Sequence, residues 1–93
     1  VLVICGSMDR KMMCGQSTNT VDCSIALAYM TLVACELGLD TCWLGSFREQ
    51  EVKAALGIPE ELRVVAVTPL GYGAEHPEAR PRKELAEIVE FLK

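Results

Sequence analysis

The sequence is poor in the residues that usually carry acid–base or nucleophilic catalysis. It has one histidine, His76, in a segment rich in proline and glutamate, and a lone exposed histidine is more often a surface residue than a catalyst. No serine or cysteine has a base close to it in the sequence, so no nucleophile is indicated. If the protein is an enzyme, we expect a bound cofactor to carry the chemistry.

Basic residues are also scarce. Nine Lys and Arg stand against 13 Asp and Glu, for a formal net charge of −4. This balance argues against a nucleic-acid partner, because binding to a phosphate backbone requires a basic surface. The opening VLVIC has no basic leader, so no secretion signal is expected. The chain begins at Val1 and not at methionine, from which we expect a fragment of a longer protein.

The five cysteines lack the close pairing of metal sites and disulfide frameworks. None belongs to a CxxC pair, and their number is odd, whereas such sites are built from paired cysteines. Two of them, Cys23 and Cys35, fall inside a helix that is predicted to be buried. We therefore expect reduced thiols that serve mostly as small hydrophobic side chains in a cytoplasmic protein.

The most apolar stretch of the chain is residues 22–38, DCSIALAYMTLVACELG. Asp22 can cap the first turn of a helix, and Gly38 suits the left-handed conformation that ends one. Because Thr31 and Glu36 interrupt the stretch, it is too short for a membrane span, and no membrane partner is expected. Its nearly uniform apolar character predicts a buried central helix in one small globular domain of 93 residues.

Two apolar runs predict strands. Residues 1–5 read VLVIC and residues 62–70 read LRVVAVTPL, and both are rich in β-branched side chains. The second run is apolar on both alternating faces, so both faces are expected to be buried. Pro69 cannot donate a backbone hydrogen bond, so regular strand pairing is expected to fail near it.

The other segments carry weaker signals. Residues 9–20 have no hydrophobic period and predict an exposed loop. Ser46 and Glu49 match a capping box, which predicts a second helix that ends at Leu56 before Gly57. Near the C-terminus, apolar residues recur at helical spacing at Leu85, Ile88, Val89 and Leu92.

Residues 43–46 are the first of two features that suit an anionic, planar cofactor. Trp43 and Leu44 supply apolar surface, Gly45 allows a ligand to approach the backbone, and Ser46 precedes a helix. The alternative is a tight turn between a strand and a helix, with Trp43 in the core.

The second feature is the pair Arg80 and Arg82 on either side of Pro81. In an extended chain these two arginines project to the same side, where two guanidinium groups can hold a phosphate. The alternative is a charge run exposed to solvent.

Three segments, in this order, resemble the C-terminal half of the FMN-dependent nitroreductase family. They are residues 22–47 (DCSIALAYMTLVACELGLDTCWLGSF), 52–73 (VKAALGIPEELRVVAVTPLGYG) and 81–89 (PRKELAEIV). The resemblance covers nearly all of the chain. It implies that residues 1–93 are the C-terminal portion of one domain. It implies an α+β fold, with a mixed sheet and helices packed around a long buried helix.

The resemblance also implies a function. Family members are usually cytoplasmic homodimers with FMN at the subunit interface, and NAD(P)H reduces the flavin, which passes electrons to nitroaromatics, quinones or related acceptors. By position, residues 43–46 would lie along the isoalloxazine ring, with the Gly45 N–H near flavin N5. Arg80 and Arg82 would hold the FMN phosphate. The N-terminal Arg-Ser-x-Arg segment of the family, which grips the phosphate and the ribityl chain, has no counterpart here.

Three functions therefore remain open for the chain. It is part of a flavin oxidoreductase, of an FMN-binding protein that stores or senses flavin, or it is an inactive fragment that lacks half of the flavin site. Bound flavin separates the first two from the third, and reduction by NADH or NADPH separates the first from the second.

Overall fold

Seven short elements follow one another in the structure, a computed structural model that describes residues 1–93. They are β1 (Leu2–Gly6), α1 (Thr18–Glu36), β2 (Asp40–Thr41), α2 (Glu49–Leu56), β3 (Arg63–Thr68), β4 (Leu70–Gly71) and α3 (Leu85–Ile88). Both predicted strands and all three predicted helices are present, the third much shortened, and helices and strands combine in the expected α+β arrangement.

β3 is the central strand of a small antiparallel sheet. β1 pairs with it along one edge. Along the other edge, Asp40 lies opposite Gly71 and Leu44 lies opposite Val67. These pairs share one register, so β2 and the residues that follow it run along β3 and β4 as one extended segment. All pairings within the chain are antiparallel, whereas the resemblance implied a mixed sheet.

Pro69 divides β3 from β4, which confirms the predicted break in pairing. β3 ends at Thr68 and β4 begins at Leu70, because a proline has no N–H to donate to a neighbouring strand. The faces of β3 differ in burial. Val64, Ala66 and Thr68 are buried, and the alternate side chains are only partly covered, so burial of both faces is not reached in this chain.

α1 begins earlier than the sequence predicts, and Asp22 is not its N-cap. Ser17 caps the helix, and its Oγ accepts the N–H of Thr20 at 3.1 Å. The carboxylate of Asp9, on the preceding loop, accepts the Ser17 hydroxyl at 2.7 Å and the Asn19 N–H at 3.2 Å. These bonds, the Ser17 bond above all, lower the pKa of Asp9. An anion supplied from ten residues away thus stabilises the positive end of the helix.

Burial of α1 is confined to one edge, so the prediction of a helix buried all round is wrong for this chain. Only Cys23, Leu27 and Ala34 are buried. The strands contact the helix from one side, and no other element covers the opposite side. Its exposed large apolar side chains are Ile25, Tyr29, Met30, Leu32 and Val33. By length and composition α1 could cross a membrane, a test that core helices of soluble proteins also pass.

The ends of both main helices are confirmed. Gly38 follows α1 with φ of 74°, and Gly57 caps α2 with φ of 66°. Both angles lie in the left-handed region, where a glycine has no Cβ penalty.

The start of α2 differs from the prediction, because Glu49 does not close a capping box with Ser46. Arg48 is the N-cap and makes no side-chain capping bond. The Glu49 carboxylate instead accepts the Val64 N–H at 2.9 Å and the Arg63 Nε–H at 3.0 Å. The bond from Val64 is the main cause of a lowered pKa at Glu49, and Arg63 adds to it. Glu49 thus bonds to groups of β3 and not to the backbone of Ser46.

Lys53 joins α2 to the loop before β3 from a buried position. Its side chain is 4% exposed, and Nζ donates to the Glu60 backbone oxygen at 2.9 Å. The carboxylates of Glu49 and Glu60 lie 3.6 and 3.7 Å from Nζ. A buried ammonium group needs such partners, so this cluster is part of what fixes α2 against the sheet.

The cysteines are free thiols in different surroundings. Cys23 is buried, Cys5 is partly buried, and Cys14, Cys35 and Cys42 are exposed. Burial raises the pKa of the Cys5 and Cys23 thiols. The expectation of a hydrophobic packing role therefore holds for Cys23 and fails for Cys35, which lies on the uncovered side of α1.

Residues beyond Gly73 form an exposed tail. The predicted C-terminal helix is reduced to the four residues of α3, which begins with a capping box between Glu84 and Glu87. The tail's large apolar side chains are exposed at Leu85, Ile88, Val89, Phe91 and Leu92.

Candidate functional site

The site begins where the chain leaves the sheet for α2. We call Trp43, Leu44, Gly45 and Ser46 the 43–46 strip. Its anchor is Leu44, which donates its N–H to the Val67 oxygen at 2.8 Å and accepts the Val67 N–H at 3.1 Å. The strip is therefore held at one point on the edge of β3, and the chain then turns away from the sheet.

Polar backbone groups in the strip are available to a ligand. The N–H groups of Gly45 and Ser46 donate to no protein atom, and neither does the Ser46 hydroxyl. A Cβ added at Gly45 would lie 3.6 Å from Trp43 Nε1, which is an ordinary contact. The protein's own packing thus leaves room at Gly45, and an approaching ligand would meet bare backbone there.

Apolar side chains of the strip are also uncovered. Trp43 is 43% exposed and Leu44 is 45% exposed. These values contradict the alternative of a core tryptophan, since a core indole would be covered by neighbouring side chains. An uncovered indole beside unpaired N–H donors suits a flat ligand that carries acceptor atoms at its rim.

Arg80 and Arg82 lie in the exposed tail and form no ion pair. Arg82 Nη1 donates to the backbone oxygens of Arg80 at 3.2 Å and Pro81 at 3.4 Å. Both guanidinium groups keep donors free for an anion. The structure does not bring these arginines and the 43–46 strip into one cavity.

Similarity to known proteins decides the family. The model of the nitroreductase family matches residues 9–72, which include the 43–46 strip and β3. This chain belongs to the nitroreductase family.

One relative of this nitroreductase chain is a protein of Methanothermobacter thermautotrophicus, provisionally named NADH dehydrogenase/NAD(P)H nitroreductase. The two are 40% identical over 63 residues, which cover 63% of this chain and 33% of the relative. The chain thus spans about a third of the length of the curated relatives it matches.

Two solved structures confirm the nitroreductase fold. A nitroreductase family protein of Clostridium difficile 630 superposes with a TM-score of 0.77 at 28% identity, over 96% of this chain and 56% of that chain. An FMN-dependent nitroreductase of Clostridium difficile R20291 superposes with a TM-score of 0.64 at 28% identity, over 77% and 47% of the two chains.

Thr68 is a residue of this nitroreductase chain that the sequence analysis missed. Its side chain is fully buried, and its Oγ1 accepts the Cys42 N–H at 2.9 Å and donates to the Pro69 oxygen at 2.8 Å. The signal in the sequence was a lone hydroxyl at the end of an apolar strand. A buried hydroxyl must find partners, and here the partners belong to the segment that leads into the 43–46 strip.

Three grooves lie outside the strip, and the smallest of them, with a volume of about 320 Å³, lies between the loop before α1 and β3. The α1 groove has a volume of about 350 Å³ and only apolar lining residues, which are Leu2, Tyr29, Met30, Val33, Ala34, Leu37, Leu39 and Leu70. A second groove of about 640 Å³ is lined by residues from 40–42 and 69–77, among them the polar side chains of Asp40, Thr41 and Glu75.

Proposed function

We propose that this nitroreductase-family chain forms part of an FMN-dependent oxidoreductase, which uses NAD(P)H to reduce nitroaromatics, quinones or similar acceptors. The observation that carries the proposal is the exposed 43–46 strip, with an uncovered indole beside the unpaired N–H of Gly45. A family relative that is FMN-dependent and another that bears NAD(P)H in its name support the choice of cofactor and donor. Residues 1–93 are, on this proposal, a portion of one flavin-binding domain.

The strip's part in the reaction is to bind and orient the flavin. Trp43 and Leu44 would offer apolar contact to the ring, and the Gly45 N–H would be the donor for flavin N5. FMN, when bound, supplies the redox chemistry between NAD(P)H and the acceptor. A fixed N–H donor at Gly45 would favour the electron-rich form of the bound flavin. Ser46 adds a second N–H and a hydroxyl at the rim of the site.

Arg80 and Arg82 take the phosphate in this proposal. Neither is paired with a carboxylate, so neither must give up an ion pair to bind an anion. Pro81 restricts its own φ and favours an extended Arg80, which reduces the freedom lost on binding.

A homodimer is the second part of the proposal. Five large apolar side chains on α1 are between 44% and 67% exposed, and the α1 groove beside them is wholly apolar. A second copy would cover this face, as isologous dimers cover like surfaces. We place the protein in the cytoplasm, without a nucleic-acid or membrane partner, in keeping with its net charge of −4 and its unpaired thiols.

Purification of the natural gene product tests the proposal. We expect a yellow protein with a flavin absorbance spectrum, or one that acquires it when FMN is added. Stopped-flow mixing with NADH or NADPH should then bleach the flavin band, and a quinone should restore it. Bound flavin that no nicotinamide reduces would favour storage or sensing, and no flavin binding at all would overturn the proposal.

A pair of variants tests the strip itself. Trp43→Ala should weaken FMN binding, because it removes apolar surface from the proposed ring site. Tyr72→Ala is the matched control, since Tyr72 is an aromatic residue 86% exposed outside the strip, and it should bind FMN like the wild type. Equal affinities for both variants would remove Trp43 from the site.

A further inference from the structure

The hydrogen-bond ladder beside the 43–46 strip contains an irregularity. Leu44 and Val67 exchange both backbone hydrogen bonds. In an antiparallel ladder such bonded pairs alternate with pairs that make no backbone bond. The next bonded pair toward the start of the segment would therefore join Cys42 and Pro69.

That pair cannot form in the regular way. Pro69 has no N–H, so one of its two bonds is lost. The other bond is replaced, because the Cys42 N–H donates to Thr68 Oγ1 at 2.9 Å and not to the Pro69 oxygen. Thr68 Oγ1 in turn donates to the Pro69 oxygen at 2.8 Å. The hydroxyl is thus inserted between a backbone donor and its usual acceptor.

Burial makes this arrangement rigid. Thr68 has no exposed surface, and its backbone lies opposite Leu2 of β1 on the other edge of β3. The hydroxyl donates its proton to the Pro69 oxygen and accepts the Cys42 N–H, and only one orientation of the hydroxyl makes both hydrogen bonds. Without it, the Cys42 N–H would lose its only protein acceptor.

We propose that Thr68 is a positioning residue for the flavin, acting through the path of residues 42–45. The inference rests on the proposed FMN function. Only the Cys42 bond to Thr68 and the Leu44 bonds to Val67 tie this segment to β3. Gly45 is one residue beyond the second tie, so the position of its N–H depends on both. The Thr68 hydroxyl thereby sets where the Gly45 donor meets the ring.

Thr68→Val is the direct test, because valine keeps the shape of threonine and removes the hydroxyl. The natural gene product is loaded with FMN, and the flavin midpoint potential and the FMN dissociation constant are measured. If the Gly45 donor is displaced, the affinity for reduced FMN should fall about threefold to tenfold more than the affinity for oxidised FMN. For a two-electron couple this lowers the potential by about 15 to 30 mV. Thr68→Ser keeps the hydroxyl and should restore the wild-type potential.

Thr41→Val is the matched control. Thr41 lies beside Cys42 in the same segment, and its hydroxyl makes no hydrogen bond in the protein. The same chemical change there should leave the potential unaltered. If Thr68→Val lowers the stability of the fold in urea but leaves the flavin potential unchanged, Thr68 has only a structural role and the inference is overturned.

Two further results keep the test decisive. If Thr68→Val does not fold, amide hydrogen exchange of the wild type takes its place. The Cys42 N–H should be protected from exchange to the same degree as the Leu44 N–H. Rapid exchange of the Cys42 N–H would overturn the inference. A wild-type protein that binds no FMN would overturn the proposed function and this inference with it, whereas FMN binding with an unchanged Thr68→Val potential overturns the inference alone.

Discussion

Glu49 ties α2 to the sheet through one carboxylate oxygen. Its Oε1 accepts hydrogen bonds from the Val64 N–H and Arg63 Nε, and it lies 3.6 Å from Lys53 Nζ. All three partners favour the ionised carboxylate, so its pKa in the folded protein is lowered, with the Val64 bond as the largest cause. The same carboxylate was assigned to a local capping box by sequence pattern.

A pH dependence of stability follows from this lowered pKa. Because the unfolded chain takes up the proton first, the stabilisation from ionised Glu49 is complete above the ordinary glutamate pKa of about 4.3. It is lost as the pH falls through the lower pKa of the folded state. Urea unfolding should show Glu49→Gln less stable than wild type at pH 7, and the difference should shrink toward pH 3.

The matched control for Glu49 is Glu51→Gln. Glu51 pairs with Arg48 on the surface, where both side chains are mostly exposed, and surface pairs contribute little. Its effect on unfolding should be small at every pH. A Glu49→Gln difference that stays constant from pH 7 to pH 3 would contradict the role given to the ionised carboxylate.

Arg82 makes the second residue-level prediction. Arg82→Ala should raise the FMN dissociation constant about tenfold to a hundredfold, because a charge-assisted hydrogen bond to phosphate is lost. The remaining affinity should depend less on salt. Flavin reduction at saturating FMN should change little, since the phosphate is remote from the reacting ring. Fluorescence quenching at low salt measures the affinity.

The control for this prediction is Lys93→Ala, which removes a cation from the same exposed tail at its last residue. FMN affinity should not respond to it. Wild-type affinity in both Arg80→Ala and Arg82→Ala would show that the two arginines belong to a solvated charge run and not to a phosphate site.

At the scale of elements, the end of α2 depends on a left-handed residue. Gly57 has φ of 66°, and a Cβ placed there would meet nothing within 4 Å. The cost of Gly57→Ala is therefore conformational and not steric, and we expect a loss of about 1 kcal/mol in the free energy of unfolding. Asparagine tolerates this region better than alanine, so Gly57→Asn should lose less.

Urea denaturation of the two Gly57 variants measures this difference. The order wild type, Asn, Ala is expected, with similar m-values, because the exposed surface on unfolding does not change. An alanine variant as stable as the wild type would show that α2 ends differently in solution.

The whole molecule leaves the proposed dimer face on α1 uncovered. Val33 is 59% exposed and lines the α1 groove. Val33→Glu would place a charge in a desolvated interface, so we expect it to shift the natural gene product from dimer to monomer in light scattering. Met13→Glu is the control, because Met13 is fully exposed on the loop before α1, and it should remain dimeric. A wild-type monomer that carries flavin would contradict the dimer.

The sequence alone determined the features that depend on local chemistry. The break at Pro69 and the ends of α1 and α2 at Gly38 and Gly57 follow from the backbone of single residue types. The apolar periods of residues 1–5 and 62–70 were enough to predict β1 and β3. The family, too, was visible in the order of three segments, because similarity to a family is read along the sequence and requires no tertiary contact.

Only the tertiary structure decided which partner each polar group takes. Asp9 reached the N-terminus of α1, Glu49 reached the β3 backbone, and Thr68 reached Cys42. These partners lie between 10 and 26 residues apart, so no local pattern could reveal them. The burial of α1 was mispredicted for a related reason. A uniformly apolar sequence indicates that a helix has apolar surface on every side. Whether that surface is buried depends on the elements around the helix, and in this chain they cover only one side of α1.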